Sequence, residues 1–192
     1  MPSLRPLLLM IALALASCLS LPHYSYTAKS PNITQEIINV QIDKTFNMDD
    51  KLAIDDALAA WNYALNGLIE FRVVSDAFDM EPSQINNEDL LFLRINSSST
   101  FIPGSTTLAF TNFIGGREIF IISDRLKDRS LKGIAMHEIG HALGGRHTLD
   151  ERHLMSIHYD AAWMQCIDEQ AIQSVAAYQH LDADRMNFCI YQ

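Results

Sequence analysis

The feature that most constrains this chain is a segment that begins at His137 and reads HEIGHALGGRH. His137 and His141 stand four residues apart, so on a helix their imidazoles project from one face, one turn apart. Glu138 lies one step round the helix, close enough to reach a water molecule held beside the imidazoles. Gly144 can take the left-handed conformation that ends a helix and turns the chain back. His147 then supplies a third nitrogen.

Three converging imidazole nitrogens with one position left open are typical of a catalytic zinc site. The alternative is a surface helix with solvated histidines. At average amino-acid usage, the fixed positions of this pattern coincide in roughly one chain of this length in a hundred thousand. The spacing therefore predicts one catalytic Zn²⁺, held by His137, His141 and His147.

The pattern H-E-x-x-H-x-x-G-x-x-H resembles that of the metzincin zinc endopeptidases, and a second segment supports the likeness. Metzincins place a methionine-containing turn beneath the metal, after the third histidine, and Met155 stands at that place. The segment is similar to the matrixin subgroup, whose pattern is H-S-x-x-x-x-x-L-M-x-P-x-Y. Tyr159 matches the final tyrosine, Thr148 replaces the serine, and Ile157 replaces the proline. The resemblance is close over residues 130–160 and loose elsewhere.

This resemblance implies an α+β fold with a twisted, mostly parallel sheet of about five strands. It also implies an antiparallel edge strand, a zinc-site helix, the methionine turn and a C-terminal helix. The edge strand beside the cleft is expected to bind substrate as an added strand. The residues placed in it are Leu108, Ala109, Phe110 and Thr111. Many matrixins hold a structural zinc through upstream histidines, but this chain has none between His23 and His137, so we expect no second zinc.

By the same resemblance, the chain is expected to be a zinc-dependent endopeptidase. Zinc polarises the attacking water, and Glu138 serves as general base and then as general acid. Tyr159 and Ile157 are expected beside the pocket for the residue after the scissile bond, and Met155 packs below the metal without binding it. Two other functions stay open: a catalytically silent zinc-binding interaction module, and an exopeptidase that trims peptide ends. A silent site does not need Glu138, which disfavours the first.

Residues 1–17 are interpreted as a signal peptide. An apolar run over residues 7–16, too short to cross a bilayer as a mature helix, leads through Ser17 to Cys18. That order resembles a bacterial lipobox. It implies a lipidated Cys18, a tether over residues 18–33, and a place in the bacterial cell envelope outside the cytoplasm. The alternative is an ordinary secretory peptide cut after Ala16, which gives a secreted protein.

Three cysteines are an odd number for an exported protein. Lipidation of Cys18 leaves Cys166 and Cys189 to pair as a disulfide within the catalytic domain, which is expected over residues 34–192. The net charge of −9 argues against nucleic-acid binding, which usually needs a basic face. Expected partners are a protein or peptide substrate and, through the lipid anchor, a membrane. The domain is expected to be a monomer.

Residue periodicity predicts the other elements. The predicted strands cover residues 37–46, 68–74, 90–95, 106–111 and 118–122. A helix between the first two strands is expected to bury a stripe that includes Leu52 and Trp61. The zinc-site helix is expected over residues 131–143, and a last helix starts near Asp168 with Tyr178 in its apolar stripe. Acidic residues between the second and third strands make a calcium site conceivable, but they match no defined calcium loop.

Overall fold

The computed structural model describes residues 24–33, 36–78, 88–99 and 102–191. The strands are β1 (Tyr24–Tyr26), β2 (Glu36–Asp43), β3 (Ile69–Phe78), β4 (Leu90–Ile95), β5 (Ala109–Thr111), β6 (Glu118–Ile122) and β7 (Cys189–Tyr191). The helices are α1 (Met48–Leu65), α2 (Ser123–Leu126), α3 (Leu131–Ala142) and α4 (Glu169–Gln179), with a 3₁₀ turn at Ala183–Arg185. Within these ranges, each helix is too short or too polar to cross a membrane. Most of the acidic segment considered for calcium lies outside the described residues.

Five strands form the main sheet, in the order β3-β2-β4-β6-β5. Strands β2, β3, β4 and β6 run parallel, and β5 pairs antiparallel with β6 at the end of the sheet. Parallel neighbours need crossover connections, and α1 lies in the crossover from β2 to β3. The predicted α+β fold, with a mostly parallel sheet and an antiparallel edge strand, is therefore confirmed.

The hydrophobic core follows from the periodicity of its elements. In β2, Ile38, Val40 and Ile42 are buried at alternate positions, as expected for a strand with one face on the core. In α1, Trp61 is fully buried, and its Nε1 donates a hydrogen bond to the backbone oxygen of Met136 in α3 at 2.8 Å. The core thereby fixes the helix that carries the histidine motif.

Two residues expected in apolar helix stripes are exposed. Leu52 is 56% exposed because it stands nine residues before Trp61. At about 100° per residue, that separation places the two side chains on opposite sides of the helix. Tyr178 is 45% exposed, and its ring packs on Gly144 in the loop after α3. The residues of α4 that reach the core are Ala171, Ile172, Val175 and Ala176.

The strand predicted over residues 106–111 is shorter in the structure, because only Ala109–Thr111 pair with β6. The chain turns before this point, and the guanidinium of Arg125 donates hydrogen bonds to the backbone oxygens of Gly104 and Thr107 at 2.8 and 2.9 Å. Leu108 therefore lies just before β5, and its backbone oxygen accepts the N–H of Ile122 in β6 at 2.9 Å.

The described part of the predicted tether lies against the domain. Tyr24–Tyr26 form β1, which pairs antiparallel with β7 near the C-terminus. The backbone N–H of Asn32 donates to the carbonyl oxygen of Asn66 at 3.1 Å. These contacts place residues 24–33 on the folded unit, which thus begins before the predicted boundary at residue 34. Cys18 and the predicted signal peptide lie outside the described residues.

Cys166 and Cys189 form a disulfide with Cα atoms 6.1 Å apart. Both residues are buried, at 0% and 3% exposure. Cys189 lies in β7 and Cys166 precedes α4, so the bond joins the two ends of the α4 region. The N–H of Cys189 also donates to the backbone oxygen of Ile167 at 2.9 Å.

Removing this disulfide is expected to lower the free energy of unfolding. The cysteines are separated by 23 residues, and closing a loop of that size contributes roughly 3 kcal/mol in the chain-entropy model. Urea unfolding of Cys166→Ser/Cys189→Ser should show this loss, and a reductant should destabilise the wild type but not the variant. Two free thiols in freshly isolated native protein would contradict the prediction.

Candidate active site

Helix α3 carries the first part of the histidine motif. Ser130 caps its start, because the Ser130 Oγ accepts the backbone N–H of Gly133 at 3.3 Å. Among its residues, Lys132 alone is not buried. The helix ends at Ala142, and Gly144 then takes a φ of +95°, as predicted for the turn that brings the chain back. This turn carries His147 towards His137 and His141.

The structure brings the three histidines together. Their Nε2 atoms lie 3.1 Å apart for His137 and His141, 3.2 Å for His137 and His147, and 2.9 Å for His141 and His147. His137 and His141 are each 8% exposed, whereas His147 lies at the surface. Within the described residues, these three side chains form the one cluster of potential ligands that could hold a metal ion.

The geometry of the triad fits a tetrahedral zinc ion. Zn–N bonds of ~2.05 Å at tetrahedral angles place ligand nitrogens ~3.3 Å apart, close to the observed separations. The Nδ1 of His137 lies 2.7 Å from the backbone oxygen of Leu154, and the Nδ1 of His141 lies 2.8 Å from that of Gly145. A proton on each Nδ1 makes these hydrogen bonds and leaves the Nε2 lone pair for the metal.

Burial keeps the imidazoles neutral, as metal binding requires. Desolvation lowers the pKa of His137 to about 3 and the pKa of His141 to about 4. It also lowers the pKa of His147. The neighbouring imidazoles act in the same direction on His137 and His141, because a second positive charge nearby disfavours protonation.

Glu138 lies beside the triad and is 5% exposed. Its Oε2 accepts a hydrogen bond from the hydroxyl of Thr111 in β5 at 2.8 Å. Burial raises the pKa of the Glu138 carboxyl to about 7, although the Thr111 hydrogen bond opposes the rise. This rise belongs to the metal-free site, because a Zn²⁺ held by the neighbouring imidazoles would favour the charged carboxylate and lower the pKa again.

The methionine turn closes the site from below. Met155 is 2% exposed, and a Cβ atom at Gly140 would lie 2.5 Å from its sulfur. Glycine in α3 therefore allows the side chain of Met155 to pack directly beneath the helix, next to His141. The turn is held to the segment after His147 by the hydrogen bond from the N–H of Thr148 to the backbone oxygen of Met155, at 2.9 Å.

Asp168 supports this turn from α4, a role that the sequence did not predict. Its Oδ1 caps α4 by accepting the N–H of Ala171 at 3.0 Å. Its Oδ2 accepts the N–H of Leu154 at 2.6 Å, and the carbonyl of Leu154 binds the Nδ1 of His137. The buried carboxylate thus orients a metal ligand through one intervening residue.

A cleft of about 440 Å³ runs past the triad. All the residues predicted to contact substrate line it, and they are Leu108, Ala109, Phe110, Thr111, Ile157 and Tyr159. The hydroxyl of Tyr159 also accepts the N–H of Ser130 at 2.7 Å, which ties the segment after Met155 to the start of α3.

Sequence reasoning missed several apolar residues of this cleft. Ile134 precedes Glu138 by four residues, so helical spacing would have placed it on the same face. Phe113 and Ile114, at 65% and 41% exposure, lie on the rim after β5, and Met164 lies in the wall. No local sequence pattern predicts that Phe113, Ile114 and Met164 line the cleft.

Comparison with curated proteins gave no match. The family model described as Matrixin matches residues 25–177. This range covers most of the chain and contains the edge strand, the histidine motif and the methionine turn. The chain therefore belongs to the matrixin family of zinc-dependent metallopeptidases.

Proposed function

We propose that this matrixin is an endopeptidase that binds an extended protein segment along β5 and hydrolyses an internal peptide bond. The observation that carries the proposal is the place of Glu138. Its buried carboxyl lies between the imidazole triad and the strand that ends the sheet, on an open cleft. A zinc site with a purely structural role has no use for a carboxyl there.

Different groups at the site are assigned different steps of the hydrolysis. Bound zinc supplies a Lewis acid that polarises the scissile carbonyl and acidifies water. Glu138 accepts the proton of the attacking water and gives it to the leaving amine. The hydroxyl of Thr111 holds Oε2 of Glu138, which leaves Oε1 as the oxygen that exchanges the proton. Burial lowers the effective dielectric constant around these steps and so strengthens each charge interaction.

Substrate binding uses the position of β5. This strand ends the main sheet on the side of the cleft, so a substrate segment can add to it as a further strand. Backbone pairing gives affinity without regard to sequence, and apolar wall residues such as Ile134, Ile157 and Met164 then select side chains. These residues favour a large uncharged side chain at the pocket beside the metal.

A digest of a mixed peptide library tests this function against its alternatives. The endopeptidase should cut at internal positions, so that more than one residue of the peptide lies on each side of the cleaved bond. Removal of single residues from one end would indicate the trimming exopeptidase. Intact peptides in the presence of zinc-loaded protein would favour the silent interaction module.

We further propose that Cys18 anchors the protein to a membrane of a bacterial cell envelope, on the extracytoplasmic side. The apolar run that ends at Cys18 supports this proposal. The disulfide supports it as well, because Cys166 and Cys189 bind each other and Cys18 remains the third cysteine of the chain.

Replacement of Cys18 by alanine should release the protein from the membrane fraction. Acyl chains that insert into the bilayer anchor a protein stably, so labelled fatty acid should enter the wild type and not Cys18→Ala. Ser20→Ala is a matched control, because it changes a nearby residue and keeps all three cysteines. A soluble wild type with Ser17 as its first residue would show ordinary secretion instead.

A further inference from the structure

Helix α4 directs three side chains at four-residue spacing towards the segment that follows α3. They are Gln170, Ser174 and Tyr178, which share one face of the helix. We call them the α4 ridge, and we call residues 144–148, which include the third metal ligand, the ligand segment. The ridge lies outside both the histidine motif and the methionine turn.

Two polar contacts of the α4 ridge fall on either side of His147. The Oγ of Ser174 accepts the backbone N–H of Arg146 at 3.0 Å. The Nε2 of Gln170 donates to the Oγ1 of Thr148 at 3.3 Å. The ridge therefore holds both chain neighbours of the third ligand.

The third contact is made by the ring of Tyr178. A Cβ atom at Gly144 would overlap Cγ and Cδ1 of this ring, so the ring fills the space that any other residue type needs. The φ of +95° at Gly144 is also one that glycine adopts at little cost. The ring and the glycine together fix the point where the chain turns away from α3 towards His147.

The three contacts are in register with one another. Residue 178 contacts residue 144, residue 174 contacts residue 146, and residue 170 contacts residue 148. Four residues of α-helix advance about 6 Å, and two residues of extended chain advance about 6.6 Å. The ligand segment thus runs antiparallel to α4 with a contact at every second residue. His147 falls between two contacts, and its Nε2 meets that of His141 at 2.9 Å.

His147 depends on its backbone more than the other ligands do. His137 and His141 sit on a buried helix, and their Nδ1 atoms bind the carbonyls of Leu154 and Gly145. In the described ranges, the ring of His147 has no such hydrogen bond from its Nδ1. The orientation of its Nε2 is therefore set mainly by the path of the ligand segment.

Tyr178 also connects this segment to the rim of the cleft. Its hydroxyl lies 3.5 Å from the backbone oxygen of Ile114, and a Cβ atom at Gly115 would overlap it. The N–H of Gly115 donates to the backbone oxygen of His141 at 2.8 Å. One aromatic ring thereby packs on both loops that converge at the C-terminal end of α3.

We propose that the α4 ridge positions the third metal ligand: it fixes the ligand segment on both sides of His147 and so holds the Nε2 of His147 at the metal. The ridge acts through the backbone of the segment, and none of its side chains lines the cleft. The inference rests on the metal site and is independent of the cleavage specificity proposed above.

Metal exchange tests the proposal without reference to activity. In Tyr178→Ala, transfer of zinc from the holoprotein to a chelator should be about 10-fold faster or more, because loss of groups that orient metal ligands lowers metal affinity by about 10- to 100-fold. The visible absorption of the cobalt-loaded protein should change as well, because it reports coordination geometry. Tyr178→Phe keeps the ring and should restore both properties to those of the wild type.

Two further variants separate positioning from general destabilisation. Gln170→Ala/Ser174→Ala removes only exposed polar contacts and should also speed zinc transfer. Gln173→Ala is the matched control, because its side chain is exposed and, within the part of the chain that the structure describes, its side-chain hydrogen bond is to Glu169, at 3.2 Å. If Tyr178→Ala fails to fold, the double variant decides by the same criterion. Zinc transfer in these ridge variants at the rate of Gln173→Ala would overturn the proposal.

Discussion

Glu138→Ala is expected to lower peptide hydrolysis by at least about 10²–10⁴, because positioned acid–base groups contribute factors of that size. The same carboxyl group is assigned to both proton transfers, so its loss should slow both steps. The three ligating nitrogens are untouched, so the variant should keep one equivalent of zinc. Single-turnover hydrolysis of a cleaved library peptide and metal analysis of the same sample give the two measurements.

Glu138→Gln is the matched isosteric variant. A glutamine keeps the size of the side chain and an oxygen that can accept the Thr111 hydroxyl, which lies 2.8 Å from Oε2 in the wild type. It cannot accept the proton of water near neutral pH. The two variants should therefore lose activity to a similar extent, and hydrolysis by either at the wild-type rate would exclude Glu138 as the base.

A pH series on the metal-free protein checks the electrostatic part of this assignment. Burial raises the pKa of Glu138 from 4.5 to about 7, so between these values the folded state binds more protons than the unfolded state. The contribution of Glu138 to the free energy of unfolding therefore falls as pH rises through that interval. The stability of Glu138→Ala relative to wild type should increase over the same interval, since both proteins share the histidines.

The parts of the site that were predictable depend on local spacing. His137, Glu138 and His141 lie on one helix, so their separation along the chain fixes their separation in space. Gly144 permits the turn that brings back His147. The strands over residues 90–95 and 118–122 also formed with their predicted bounds, because each is a short apolar run next to a turn.

The parts that were missed depend on contacts between distant residues. β1 pairs with β7, which lies almost the full length of the chain away in sequence. Each of these strands is too short to show the alternation of apolar and polar residues that predicts a strand. The sequence predicts Asp168 only as the residue that starts a helix. Its second hydrogen bond, which it accepts from the N–H of Leu154, depends on a distant segment and has no local sequence signal. Tyr178 matched an apolar helical period, but its partner is a glycine in a loop far away in sequence. Local pattern gives no information on such pairs.

The second large effect is expected for His141→Ala, which should hold almost no zinc after dialysis against a weak chelator. The wild type should keep one equivalent under the same conditions. Nε2 of His141 lies within 3.1 Å of the other two Nε2 atoms, so its loss leaves two protein ligands where a catalytic zinc site needs three. Hydrolysis should fall to background together with the metal.

His158→Ala is the matched control for this variant, because it removes an exposed imidazole from the segment after Met155 and leaves the triad whole. Zinc binding can also be read from stability: zinc at about 100 times its dissociation constant adds about 2.7 kcal/mol to the free energy of unfolding. Wild type and His158→Ala should show this increase in urea unfolding, and His141→Ala should not. Equal zinc-dependent stabilisation of all three proteins would place the metal elsewhere and remove the basis for assigning the cleft to catalysis.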